Sequence, residues 1–404
     1  MLYSLYEQQR TWTEPLRRMA GLARDALLPL TAWPCGAGIS HVTASLDLLS
    51  RATLTHDHPG YHIDHIVIDG RPVPITEEVA ATSPFCTLLR FRKPSISGQP
   101  KVLVVAPLSG HYATLLRDTV RTLLVDHDVF LTDWHNARDI PVTHGDFGYD
   151  DCVEHIISFL ETMGPKSHVI AVCQPCAQVL AAVAVMSEDK NPATPLSMTL
   201  MAGPIDTRIQ PTKVDELASS HPIEWFEQNL ITEVPAPLKG AGRKVYPGFV
   251  QLTAFLSMNG SRHAKAHNDL YMHLATGDAE QASEIKTFYD EYFAVFDLPA
   301  RFYLETVQRV FQEHDLARGV LTYKNRRVDP SAIKKTALLT VEGEHDDICA
   351  VGQTLAAHDL CTRLKPFLKR HHLQAGVGHY GVFSGRRWRT QIYPIVRNLM
   401  LSAT

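Results

Sequence analysis

From residue 101 onward the sequence alternates between two textures, and that alternation most constrains what the chain can fold into. KVLVVAPL, DVFLTDW, SHVIAVC and LSMTLMAG are short apolar, β-rich runs without a polar residue at every second place. Between them, ATLLRDTVRTLLV, DCVEHIISFLETM and CAQVLAAVAVMSED carry apolar residues at helical spacing. Strands that lack polar alternation need cover on both faces, and intervening helices supply it. The pattern resumes with KKTALLTVEG, a helix expected near GQTLAAHDLCTRL, the strand FLKRHHLQAG and the amphipathic RWRTQIYPIVRNLM. The expectation is a three-layer α/β fold around a mostly parallel sheet, with HIVIDG and FCTLLRFRK as opening strands.

The alternation is interrupted between Asp206 and Asp329, where 15 of the 33 Phe, Tyr and Trp residues fall in under a third of the chain. Their spacing is helical, which predicts an inserted helical cap whose aromatics form mainly its own core and partly the wall of a cleft. The predicted division is therefore 1–205 as the first part of the core, 206–329 as the cap and 330–404 as the second part of the core. The first thirty residues read as a helix interrupted at Pro15, with Leu16, Met19, Leu22, Leu27 and Leu28 near one face. Such a face packs on its own domain or meets an apolar surface; the first is the expectation.

Composition removes several function classes. The net charge of −4 is spread without a basic stripe, so nothing points to nucleic acid. The longest apolar run, AQVLAAVAVM, is far short of the ~20 residues that span a bilayer, and the N-terminus has no secretion-signal pattern. Seven cysteines in 404 residues fit reduced thiols, so the expected location is cytoplasmic. HDHPGYHIDH, with His56, His58, His62 and His65, matches no metal-ligand spacing and reads as a solvated loop.

Chemistry concentrates in SHVIAVCQPCAQV, where a strand runs into a helix at Cys173. A nucleophile at such a turn favours small residues two places away; Ala171 stands before it, and Pro175 stands after it where the common motif has Gly. Proline costs no hydrogen bond in a first helical turn, and a helix N-terminus favours the reactive thiolate. Cys176 falls inside the helix and reads as packing. Spacing alone leaves a thioredoxin-like redox pair open, whereas a zinc site lacks its other ligands. The rest of the chain decides in favour of the nucleophile. In α/β-hydrolases the acid and then the histidine follow late strands. Asp346 follows KKTALLTVEG, with Asp347 as its competitor, and His379 follows FLKRHHLQAG between Gly378 and Gly381. The oxyanion donors expected are the backbone N–H of Gln174 and, from the loop in VLVVAPLSGHY, that of Ser109, with Leu108 and Gly110 as alternatives.

With these residues assembled, the chain resembles the intracellular poly(3-hydroxybutyrate) depolymerases. PLSGHYATLLRDTV, DWHNARDIP, VCQPC, TLMAGPIDTR, VEGEHDDI and HHLQAGVGHYGVFSG carry the resemblance across nearly the whole chain. It implies an α/β-hydrolase with Cys173 as nucleophile, Asp346 as orienting acid and His379 as base, without metal or organic cofactor. The implied partner is the polymer at a storage-granule surface. The nearest rivals are a polyester synthase, against which the absence of a Gly-x-Cys-x-Gly box speaks, a thiolytic enzyme passing the acyl group to CoA, and a non-catalytic granule-binding protein.

Overall fold

The computed structural model describes residues 2–33, 37–258 and 260–403. Eight strands form the main sheet: β1 (Thr76–Thr82), β2 (Cys86–Arg92), β3 (Lys101–Val105), β4 (Asp128–Trp134), β5 (Ser167–Val172), β6 (Ser197–Met201), β7 (Ala337–Gly343) and β8 (Lys369–Gln374). Across the sheet they run β1-β2-β4-β3-β5-β6-β7-β8. Only the β1–β2 and β2–β4 pairings are antiparallel. This is the α/β-hydrolase topology, with the crossover between β3 and β4 bringing β3 next to β5.

The reason for the sequence texture is visible in burial. Every residue of β5, β6 and β7 is buried, whereas β1 and β8 at the two edges are largely exposed. The helices that cover the sheet include α3 (Arg117–Leu123), α4 (Tyr149–Met163) and α5 (Cys176–Glu188). The last of these is apolar on all sides, and 11 of its 13 residues are buried, as a helix pressed between layers requires.

Between β6 and β7 lies the cap. It holds α6 (Lys213–Ser219), α7 (Ile223–Leu230), α8 (Gly248–Met258), α9 (Gly260–Thr276), α10 (Ala279–Tyr292) and α11 (Ala300–Thr306). A small antiparallel sheet of Thr232–Glu233, Lys244–Tyr246 and Leu298–Pro299 lies within it, which helical spacing alone did not predict.

Four further expectations change. TEEVAAT forms the first sheet strand, whereas HIVIDG contributes only to a separate hairpin with Arg71–Pro74. The helix near GQTLAAHDLCTRL shrinks to Ala357–Leu360, because the buried Glu342 of β7 draws in the amides that would start it. Its Oε2 accepts from Gly352 at 2.9 Å, and its Oε1 accepts from Thr354 and Leu355 at 2.8 and 2.9 Å. HDHPGYHIDH is not a solvated loop throughout. His56 is buried against Tyr6 Oη at 3.0 Å, and burial together with Arg138 and Arg10 pushes its pKa down to about 2. Among the described residues no cluster of three or more His, Cys, Asp or Glu could hold a metal ion.

The fourth change concerns α1 (Leu2–Leu27), which runs unbroken through Pro15. Its inner face packs Tyr3 and Tyr6 on Phe249 of α8, and Ala20 is buried nearer its C-terminal end. Leu16, Met19 and Leu22 do not pack on the domain; they are 56%, 67% and 70% exposed, in line with Leu5 and Trp12. No described helix is long and apolar enough to cross a membrane.

The Glu342 anchor gives a measurable expectation. Glu342→Ala leaves three amides, one buried and two half-buried, without their acceptor and lowers the free energy of unfolding by about 3 kcal/mol or more, read from urea denaturation. A change below about 1 kcal/mol would show that the segment 352–355 is held by other contacts.

Candidate active site

The turn after β5 places Cys173 at φ 65°, in the left-handed region that non-glycine residues rarely occupy. Three contacts hold it there. The Cys173 N–H donates to Met201 O at 2.8 Å, and the Cys173 carbonyl accepts from Cys176 N at 3.2 Å. Gly203 presses behind the turn so closely that a Cβ would lie 2.2 Å from Cys176 Sγ and 2.5 Å from Cys173 O. Pro175 stands at the N-cap of α5, one residue before the first turn in which the sequence reading placed it.

The two cysteines are unequal. Cys173 is partly exposed at the head of α5, whereas Cys176 is fully buried with Sγ 3.6 Å from Ala171 O and 3.7 Å from Met201 O. Burial, reinforced by Cys173, pushes the Cys176 thiol well above its ordinary range. No disulfide joins them.

Asp346 and His379 come from the loops after β7 and β8, and the structure brings both to Cys173. His379 Nδ1 lies 2.8 Å from Asp346 Oδ2, and Cys173 is near enough to favour the charged form of its ring. The other carboxylate oxygen, Oδ1, accepts from the amides of Ile348 and Cys349, each at 2.9 Å, which fixes the carboxylate plane. Burial works against a charged His379, but the Asp346 carboxylate and Cys173 outweigh it, so its pKa is held well above 6.5. Asp347 lies beside the same cleft without being the residue paired to His379 Nδ1. Gly343 and Gly381 allow this approach: a Cβ at either would come within 2.9 Å of Val377.

On the other side of Cys173, the loop after β3 carries Leu108, Ser109 and Gly110. The Leu108 N–H donates to Gln174 Oε1 at 3.3 Å, whereas the N–H groups of Ser109 and Gln174 meet no acceptor among the described residues. The loop is clamped from the cap, a feature the sequence reading missed. Gln251 of α8 donates through Nε2 to Ser109 O, Phe296 N donates to Gly110 O at 3.0 Å, and Gly110 has φ 84° against the Gln251 side chain. Nothing local in the sequence signals a contact between residues 142 positions apart.

Two cavities flank the Cys173–His379 pair. One is lined by Ser109, Cys173 and Gln174 and walled by cap side chains such as Phe226, Phe302 and Tyr303. The other is lined by His379 and Tyr380 with Tyr292 and Phe288 of α10. A partly exposed thiol, an imidazole paired to a carboxylate and two unpaired amides beside apolar walls form an arrangement chemically suited to acyl transfer on an apolar ester.

Residues 202–404, half of the chain, match the model of the family described as the PHB depolymerase C-terminus. No curated protein sequence matches the chain. Among solved structures, the monoacylglycerol lipase of Paleococcus ferrophilus is 12% identical over 76% of this chain and 97% of its own, with a TM-score of 0.44. The 2-hydroxy-6-oxo-6-phenylhexa-2,4-dienoate hydrolase of Rhodococcus sp. strain RHA1 is 10% identical over 82% of this chain and 99% of its own, with a TM-score of 0.41. A meta-cleavage product hydrolase of Pseudomonas fluorescens is 15% identical over 84% and 95%, with a TM-score of 0.40.

The electrostatics of the pair can be checked without substrate. Asp346→Asn removes the charge that opposes desolvation, so the His379 imidazole titrates at lower pH than in the wild type, followed by NMR. An unmoved titration would mean that another group holds His379 charged.

Proposed function

The chain belongs to the PHB depolymerase family, and from that premise we propose that it hydrolyses poly(3-hydroxybutyrate) of storage granules in the cytoplasm to oligomers or monomer through Cys173, His379 and Asp346. Family membership makes it a hydrolase of ester bonds. The finer reading is carried by one observation: an Asp346–His379 hydrogen bond whose imidazole is also influenced by Cys173, the residue at the strained strand–helix turn.

In this mechanism His379 takes the Cys173 proton, a transfer favoured by the Asp346 carboxylate that stabilises the imidazolium. The sulfur attacks an ester carbonyl of the polymer, and the negative charge moves to the carbonyl oxygen, held by the N–H groups of Ser109 and Gln174. Collapse breaks the C–O bond, His379 protonates the departing alkoxide, and an acyl thioester remains on Cys173. Water then gives a proton to His379 and attacks the thioester, the tetrahedral species expels the sulfur, and the shortened chain leaves with a new carboxyl end. The reading requires neither metal nor organic cofactor.

An insoluble polyester also calls for surface attachment. The outward stripe of α1 supports this role: Leu5, Trp12, Leu16, Met19 and Leu22 face solvent along a helix about 39 Å long, Trp12 being 80% exposed. Trp33, 68% exposed, adds a second large ring beyond its end.

Two experiments test these statements. Cys173→Ala abolishes hydrolysis of amorphous polymer, whereas Cys176→Ala keeps most of it; retained full activity in the first variant would remove the triad from the mechanism. Replacing Trp12, Met19 and Leu22 together by Ser lowers the fraction co-sedimenting with amorphous granules at least tenfold, since each side chain contributes about 1.5–3 kcal/mol when fully buried. Unchanged sedimentation would detach α1 from granule binding.

A further inference from the structure

The two cavities beside the catalytic pair share one wall residue, Ile348, which carries one of the amides that fix Asp346. Each cavity holds a different part of the chemistry. Cys173 lies in the first with the amides of Ser109 and Gln174, and His379 lies in the second. We propose that they are the two halves of a single track for a linear polyester, with the acyl half of the cleaved ester in the first and the alcohol half in the second. The proposal rests on the depolymerase reading above and adds to it a direction and a mode of cleavage.

The direction follows from the geometry of ester cleavage. In the tetrahedral intermediate the carbon bears sulfur, the oxyanion, the acyl substituent and the departing alkoxy oxygen. The oxyanion is fixed on the side of the Ser109 and Gln174 amides, and the alkoxy oxygen must face His379 to receive its proton. The chain attached to that oxygen therefore leads into the cavity that His379 lines, and the acyl substituent leads into the other. A poly(3-hydroxybutyrate) chain has a hydroxyl end and a carboxyl end, and the acyl half of any of its esters runs toward the hydroxyl end. The hydroxyl-end segment thus lies among Phe226, Phe302 and Tyr303, and the carboxyl-end segment lies between α9 and α10.

The mode follows from where the cavities lead. The first, about 270 Å³, is at the small end of ligand-sized cavities, which suits one extended chain rather than a coil. Its rim includes Lys213, Ser257 and Leu217, all exposed, with Leu217 at 49%. The second reaches exposed Arg262, Glu284 and Phe288. Both halves of the track open at the surface, so neither demands a chain terminus, and the cleaved bonds are internal.

Ala254 of α8 lines the first cavity and Ala266 of α9 the second, and both are half-buried, so each half can be narrowed separately. Ala254→Trp lowers the ratio of kcat/KM for 4-nitrophenyl octanoate over 4-nitrophenyl acetate at least fivefold. Ala266→Trp lowers the ratio for octyl acetate over ethyl acetate at least fivefold. Ser257→Trp, at the exposed rim, replaces Ala254→Trp if that variant does not fold. Reversed sensitivities overturn the direction.

The wild-type enzyme is also given a 3-hydroxybutyrate hexamer acetylated at its hydroxyl end and methylated at its carboxyl end. Internal cleavage within threefold of the rate for the free-ended hexamer is the expected result. Cleavage of the free-ended hexamer alone overturns the track and leaves the depolymerase reading standing. Failure to cleave either hexamer or amorphous polymer overturns both.

Discussion

The site depends on one strained residue. At φ 65° Cys173 gives up on the order of 1–3 kcal/mol of backbone energy, and the turn survives only because its surroundings leave it no alternative. Behind it, Gly203 packs on Cys173 O and Cys176 Sγ, and Gly203 is itself held on both backbone groups by Thr354 Oγ1, which accepts from its N–H and donates to its carbonyl at 2.9 Å each. Thr354 N in turn donates to Glu342 Oε1. A carboxylate at 0% exposure on β7 thus supports, through two intermediaries, the turn that presents a thiol at the end of β5.

The same strand serves the acid. β7 ends in Gly343, whose missing side chain lets the loop carrying His379 pass close by, and Asp346 follows three residues later. Glu344 N and His345 N donate to Gln374 O and Val377 O, so the loops after β7 and β8 are laced together by backbone alone, apart from the Asp346 and His379 side chains. The Asp346–His379 hydrogen bond is therefore an outcome of backbone pairing. Its strength comes from burial: the ring is 5% exposed, and in so dry a site an adjacent carboxylate outweighs the desolvation that would otherwise discharge it.

What could be read from the sequence was what local chemistry dictates. Runs such as HVIAV and ALLTV lack polar alternation because both faces of the sheet are covered, and this property is local. The placement of Cys173, Asp346 and His379 at the ends of successive strands follows once strand order is assumed. What escaped depends on distant partners. β1 is an exposed edge strand, so TEEVAAT carries no apolar signature. The helix expected at GQTLAAHDLCTRL shrinks because a side chain ten residues upstream captures its first amides. His56 looks solvated until Tyr6 packs against it, and the outward stripe of α1 has the same spacing as a core-facing one. Periodicity identifies a helical face; it does not say what the face meets.

The cap is more than a lid over the pocket. Through Gln251 and Phe296 it holds the carbonyls of Ser109 and Gly110, and a peptide whose carbonyl is fixed has its neighbouring N–H fixed too. The Ser109 carbonyl points to α8, which fixes the Gly110 N–H of the same peptide, while the Ser109 N–H belongs to the preceding peptide and meets no acceptor among the described residues. The same α8 begins at Gly248, whose N–H donates to the fully buried Asp297 at 2.9 Å, and Tyr3 of α1 donates its hydroxyl to that carboxylate. Burial raises the pKa of Asp297 to about 6, but hydrogen bonds from Tyr3 and Gly248 offset part of the cost. The N-terminal helix, the cap and the loop after β3 are therefore joined through three hydrogen-bonded steps.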